Sequence, residues 1–216
     1  CMADKDRVNQ PEHMIRLWCH ETLRVFGDRL VDDDDKMMLF KSIRDIVKRT
    51  FGVQFDNVFL HLDNNGDGKV DQLDEIRALL FSDFMTAQAI KKYYEEVTDY
   101  SKLQQSVEQS LQTYNFTTDK PMDLVLFQFA VEHLVIIGRI IKQPGGNALL
   151  IGVGGSGRQS LTRMATFVSN YKIFQVEVIK GYNMSKWRDD LKRCLMLAGV
   201  EDKSVTFLVV DTQIIR

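Results

Sequence analysis

The sequence predicts an α/β chain in two parts: a helical N-terminal region interrupted by an acidic loop, then part of a parallel-sheet core. Three observations carry this. Up to Asn115, apolar residues recur mainly at three- and four-residue spacing. Asn115 to Pro121 is a polar, turn-forming linker. Beyond it, unbroken apolar runs alternate with helical stretches, the pattern of strands buried under helical crossovers.

Each element has a local reason. Pro11 suits the first turn of a helix whose apolar side is Ile15, Trp18, Cys19, Thr22 and Phe26, ending at Gly27 or Leu30. Asp32 to Asp35 supply an N-cap and negative charge to a second helix with Met38, Leu39, Ile43, Ile46 and Val47 on its apolar face. Residues 54–62 form a short apolar run, 63–71 a Gly/Asp/Asn cluster, and Leu73 to Phe84 a second apolar-periodic run. Residues 87–115 are polar and helical in pattern, with Leu103, Val107 and Leu111 four apart. Asp123 can cap a long helix from Leu124 to Lys142, broken by Pro144-Gly145-Gly146. Ala148–Val153, Ile173–Ile179 and Val205–Val210 are the three strands, expected in one right-handed parallel core. Helices from Gln159 to Val168 and from Ser185 to Gly199 cross between them.

Composition excludes several classes. In 216 residues, 44% are apolar and 27% charged, as in an ordinary globular chain. The 28 basic and 30 acidic residues leave a net charge of −2, with no electrostatic footprint for nucleic acid or an anionic membrane. The run Leu124–Ile141 contains Glu132, His133 and Arg139, so it is expected to be a buried helix and not a membrane span. Cys1, Cys19 and Cys194 are far apart and resemble reduced cytosolic thiols. The N-terminus has no signal-peptide pattern; a first residue other than Met and an end just after an apolar run suggest a piece of something longer.

The glycine-rich turn Gly152-Val153-Gly154-Gly155-Ser156-Gly157-Arg158-Gln159-Ser160 separates a predicted strand from a predicted helix. That context suits a phosphate-binding loop, whose glycines let backbone N–H groups surround an anion at the positive end of a helix. Against the pattern G-x4-G-K-[ST], Gly152 and Gly157 match. Arg158 replaces the lysine, Gln159 replaces the metal-ligating hydroxyl, and Ser160 comes one residue later. Arginine can still pair with phosphate, whereas an amide oxygen is a poor metal ligand. The third apolar run ends Val209-Val210-Asp211-Thr212, as a Walker B strand would, with Asp211 placed to hold a metal through water. Thr212 stands where many such sites carry a glutamate and cannot act as a base. The expectation is a nucleotide site with weak or absent hydrolysis; the alternative is a plain β–α turn.

Asp63-Asn64-Asn65-Gly66-Asp67-Gly68-Lys69-Val70-Asp71-Gln72-Leu73-Asp74 fits the 12-residue EF-hand loop. Asp63, Asn65, Asp67 and Asp71 stand at ligand positions, Lys69 offers a carbonyl, and Gly68 makes the turn. Asp74 replaces the usual bidentate glutamate, so Mg²⁺ or weak Ca²⁺ binding is expected, from a loop that splays when empty. The alternative is a polar turn between two helices. His13, His20, His61 and His133 assemble no catalytic or zinc pattern, and the methionines, Trp18 and Trp187 are expected in packing.

Asn147 to Arg163 closely resembles the fourth P-loop of axonemal dynein heavy chains, as do Met122–Gln143, Lys180-Gly181-Tyr182, Trp187–Lys192 and Phe207–Ile214. Ile15–Trp18, His20-Glu21 and Arg24–Leu30 resemble the helical end of the third AAA+ module, and the acidic insertion is similar to that of some inner-arm chains. The resemblance implies a fold in which 1–60 is the lid of the preceding module, 54–86 an EF-hand-like helix–loop–helix, 87–120 a helical connector, and 121–216 the truncated start of a P-loop AAA+ module. It implies ATP or ADP at Gly152, Gly154, Gly155, Ser156, Gly157, Arg158, Gln159, Ser160 and Asp211, with weak Mg²⁺, and regulation of an ATP-driven microtubule motor of cilia and flagella. The partners implied are the other AAA+ modules, microtubules, and light and intermediate chains, in the cytoplasmic axoneme, with neither nucleic acid nor membrane. The alternative is a calcium-responsive module with a vestigial P-loop.

Overall fold

The computed structural model describes residues 8–85 and 91–214; Cys1 and the start of the helical stretch expected over 87–115 lie outside them. The chain divides into two compact units, one to Leu103 and one from Gln104.

In the first unit, α1 (Pro11–Thr22) begins with Pro11, whose missing N–H costs a first-turn residue nothing, and runs into a π turn at Leu23–Gly27. α2 (Asp33–Ile46) follows Asp32 at its N-cap, with Asp33, Asp34 and Asp35 in the first turn. These carboxylates complement the helix dipole, although Asp32 makes no side-chain capping bond. A second π turn, Val47–Phe51, stops at Gly52, whose φ of 69° is left-handed and natural for glycine. Short turns follow: α3 (Phe55–Phe59), a 3₁₀ turn at Leu60–Leu62, and α4 (Leu73–Arg77). The core of this unit gathers Ile15, Leu17, Cys19, Phe40, Ile43, Val47, Phe55, Phe59, Val70, Ile76 and Phe81. Phe55 stacks on Phe59 at 4.2 Å between centroids, and Phe40 meets Phe55 edge-on at 5.5 Å. Trp18 packs edge-on against Phe51 at 5.6 Å, in keeping with its expected packing role.

Two expectations are corrected here. The apolar run Leu73–Phe84 is not one helix: after α4 it turns into β1 (Phe81–Ser82), antiparallel to β2 (Glu95–Glu96). The polar stretch 87–115 therefore contains strand before α5 (Tyr100–Thr117) begins. The reason is tertiary. His20 Nδ1 donates to Leu79 O at 3.1 Å, and its Nε2 lies 2.9 Å from the Tyr94 hydroxyl, so one buried histidine ties both segments to α1. His20 is thus structural, as its isolation in sequence implied.

In the second unit, α6 (Gln128–Lys142) starts at N-cap Phe127, later than the expected Leu124; Asp123 does not cap it. Asn115 explains the delay: its side-chain amide accepts from Met122 N at 2.8 Å and donates to Met122 O at 2.9 Å, holding the linker outside the helix. α6 packs on α7 (Arg158–Val168), which also lies against β3 (Lys172–Gln175) and β4 (Val205–Leu208). α7 closes with Asn170 at φ 59°, where Asn170 N bonds Phe167 O and Tyr171 N bonds Thr166 O. α8 (Met184–Gly199) is capped by Asn183, which accepts from Ser185 N and Lys186 N at 3.1 Å. The methionines divide: Met164 is buried, but Met38, Met184 and Met196 are exposed.

β3 and β4 pair in parallel, Lys172 with Val205 through Gln175 with Leu208. The first of the three expected strands, Ala148–Val153, is a correction: it joins no ladder, and Leu149, Ile151 and Val153 are 85%, 85% and 79% exposed. An apolar run becomes a strand only when a neighbour takes up its N–H and C=O groups, and no described segment does so here.

Candidate functional site

The glycine turn lies at the N-terminus of α7. Gly157 takes the N-cap at φ 75°, and Gly155 is also left-handed at φ 77°. Both conformations favour glycine, so the spacing seen in sequence has a backbone cause. A Cβ added at Gly154 or Gly155 would meet nothing within 4 Å, so the turn's outer side is open to a ligand. Leu161 N is the first amide of α7 to bond back, to Gly157 O at 2.8 Å. The amides of Arg158, Gln159 and Ser160 thus precede the helical ladder and form a donor cluster at the positive end of the dipole. These features fit an anionic phosphate.

Arg158 does something the sequence did not indicate. Its guanidinium folds back on the turn, donating to Val153 O at 3.1 Å and making a long contact to Leu150 O at 3.5 Å. It braces the loop from within. Asp211 sits at the start of a 3₁₀ turn, Asp211–Gln213, just past β4, and accepts from Thr212 N at 2.9 Å. Gln213 holds this end of the sheet together: its Oε1 accepts from Val210 N at 2.9 Å and its Nε2 donates to Val176 O.

Beside the first turn of α7, a polar cavity of about 570 Å³ opens at the C-terminal ends of β3 and β4. Gln159, Arg163, Gln175, Glu177, Thr212 and Lys120 line it, and Arg163 donates to Gln175 Oε1. It brings together Gln159 and Thr212, two of the positions that depart from the sequence pattern of a P-loop site. Arg163, Gln175 and Lys120 were not recognised from the sequence as members of a site. The available signal was that Arg163 lies four residues after Gln159, hence on the same helix face.

The acidic loop is organised by bonds to its own backbone. Asp63 accepts from Gly66 N at 2.7 Å and Gly68 N at 2.8 Å, Asn65 from Asp67 N at 2.8 Å, and Asp67 from Lys69 N at 2.8 Å. The bond from Gly68, foremost among the backbone donors, holds the Asp63 carboxyl below the usual carboxylate range. Asp74 accepts from Asn64 at 3.1 Å, and Glu75 takes the amides of Asp71 and Gln72 at 3.0 Å to cap α4. Among the described residues no three acidic, His or Cys side chains gather as a group able to hold a metal ion. Of the positions expected to hold a cation (Asp63, Asn65, Asp67, Lys69, Asp71 and Asp74), Asp63, Asn65 and Asp67 accept backbone amides of the loop and Asp74 accepts from Asn64. The loop is closed on its own amides and not splayed, because the short side chains of Asp63, Asn65 and Asp67 reach N–H groups a few residues ahead.

The second unit is thus an α/β unit in which a glycine turn opens α7, and Gln159 of the first turn of α7 shares a cavity with the carboxyl ends of two parallel strands. Residues 122–216 match the family described as "P-loop containing dynein motor region D4", and residues 1–36 match "Dynein heavy chain, ATPase lid domain". The chain is 41% identical over 203 residues to mouse dynein axonemal heavy chain 3, covering 94% of this chain and 5% of that protein. It is 45% identical over 198 residues to mouse dynein axonemal heavy chain 12, covering 91% and 6%. With mouse dynein axonemal heavy chain 1 the identity is 39% over 213 residues, covering 99% and 5%. The chain is a homologue of the axonemal dynein heavy chains and carries a dynein AAA-type region, spanning about 5% of the length of these relatives. No helix among the described residues is long and apolar enough to cross a membrane.

Proposed function

We propose that this chain is a regulatory, weakly or non-hydrolysing nucleotide-binding segment of an ATP-driven microtubule motor in the ciliary or flagellar axoneme. The donor cluster at the head of α7, with Gly155 and Gly157 in left-handed conformations, is the observation that carries the reading. In it, Gly152, Gly154, Gly155, Ser156 and Gly157 shape the cradle, and Arg158 braces it. The amides of Arg158, Gln159 and Ser160 meet the phosphates of ATP or ADP. Mg²⁺ would be held through Asp211, weakly, because Gln159 offers an amide in place of a hydroxyl. Thr212 supplies no base, so the bound nucleotide acts as a ligand that shifts the conformations of the ring through its differential affinity.

In this reading residues 1–60 are the lid of a third module and 121–216 the opening of a fourth, in an inner-arm heavy chain. Its other AAA+ modules are the immediate partners, microtubules are reached through the parent chain, and light and intermediate chains complete the motor. This reading is preferred to the calcium-responsive alternative because among the described residues no three acidic, His or Cys side chains gather as a group able to hold a metal ion.

Photoaffinity labelling of the full heavy chain with an azido-ATP, followed by peptide mapping, tests the nucleotide reading. Label in the peptide carrying residues 147–163 is expected, lost on competition with ATP or ADP. Labelling confined to other modules would overturn it.

A further inference from the structure

We infer that Arg163 contacts the terminal phosphate of the bound nucleotide and lets this site distinguish a nucleoside triphosphate from a diphosphate. The inference rests on the nucleotide reading above. Its starting point is Arg158, whose guanidinium is engaged by the carbonyls of Val153 and Leu150 inside the loop. The cation expected to reach the outer phosphates is thus occupied elsewhere. The cavity beside the loop contains a replacement.

Arg163 lies one helical turn beyond Gln159 on the same face of α7, about 6 Å along the axis. Helical side chains lean toward the N-terminus, so this guanidinium is directed to the phosphate end of the helix. It is half-buried and held by a neutral group, the Gln175 amide oxygen, and among the described residues no carboxylate pairs with it. A guanidinium has five N–H donors in a rigid fork, and a single Gln175 oxygen leaves most of them for a ligand. The other charged cavity residues, Lys120 and Glu177, face each other at 3.8 Å and are 84% and 83% exposed, so water screens them. The cavity therefore has one fixed, unneutralised cation next to a helix N-terminus. That arrangement favours an anion. Gln159 belongs both to the loop's helix and to the cavity wall, so an anion continuous with the loop-bound phosphates accounts for it better than an acidic side chain from another segment.

The test is arginine footprinting of the intact heavy chain with phenylglyoxal, read by mass spectrometry at Arg163. A non-hydrolysable ATP analogue with Mg²⁺ is expected to protect Arg163, and ADP to leave it reactive. Arg163→Gln should weaken the analogue about tenfold while ADP affinity at this site changes little, and Arg163→Lys should recover part of the loss. Equal protection by ADP, or by inorganic phosphate alone, would overturn the inference, as would no protection in a chain that still photolabels at 147–163. Protection in the absence of any nucleotide would place an acidic segment in the cavity instead. Failure to photolabel at all would remove the nucleotide reading itself. The footprint uses the unaltered chain, so it stands even where Arg163→Gln does not fold.

Discussion

Arg44 and Asp56 hold each other at 3.0 Å, and between them they hold the backbone of Val70: Asp56 accepts from Val70 N at 3.0 Å, and Arg44 donates to Val70 O. Val70 is fully buried, so both of its main-chain groups would otherwise be desolvated without partners. The pair replaces a neighbouring strand and makes the acidic loop self-sufficient. Asp56→Ala should lower unfolding stability by about 1–3 kcal/mol, the cost of stranding buried donors, measured by urea denaturation. Arg44→Ala should cost a similar amount, and the double variant less than their sum, because the partners are shared.

The glycine turn depends on the Arg158 brace. Arg158→Ala frees the Val153 and Leu150 carbonyls and loosens the cradle, so nucleotide binding should weaken by about 1–3 kcal/mol, roughly 5–150-fold. Arg158→Lys should recover little, since a single ammonium does not reproduce the fork. Nucleotide affinity at the 147–163 site is the measurement, and a wild-type affinity in Arg158→Ala would show that the brace is dispensable.

The acidic loop should respond to acid more than to calcium. Asp63 carries a lowered pKa because its carboxylate is bonded by Gly68 N and Gly66 N. The order it contributes is therefore present above the ordinary carboxylate value and lost as pH falls through its lowered value. Amide resonances of Gly66 and Gly68 should move together in that acid range. Calorimetry should detect no submicromolar Ca²⁺ site, and Asp63→Ala should disorder the loop with or without calcium.

Cys19 is fully buried, and burial pushes its thiol up from 9.0 to about 12. It should resist thiol reagents in the folded chain at pH 8 and react only on unfolding, whereas half-buried Cys194 should react sooner. The raised value means that Cys19's contribution to stability is complete below about pH 9 and declines as pH rises toward 12. A denaturation series over alkaline pH, compared with Cys19→Ala, checks the sign.

Local chemistry made part of this protein legible from sequence. Pro11 at the start of α1, the Asp32–Asp35 run at the start of α2, Asn183 ahead of α8, and the glycines that open α7 all act within one turn of themselves. The glycine turn belongs to this group, because left-handed glycines and a helix N-terminus need no distant partner. Tertiary structure decided everything that depends on a remote neighbour. His20 bonding Leu79 and Tyr94 set β1 and β2 against the helical pattern of their segments. Asn115 holding Met122 moved the start of α6. Ala148–Val153 has a strand's composition but no ladder, since hydrogen-bond partners lie outside any local pattern. The acidic loop has ligand spacing, but spacing fixes only which residues carry oxygen, and the folded backbone turns those of Asp63, Asn65 and Asp67 onto the loop's own amides. Arg163 gains its place by the cavity in the same way, through Gln175 on a strand that only the fold brings beside it.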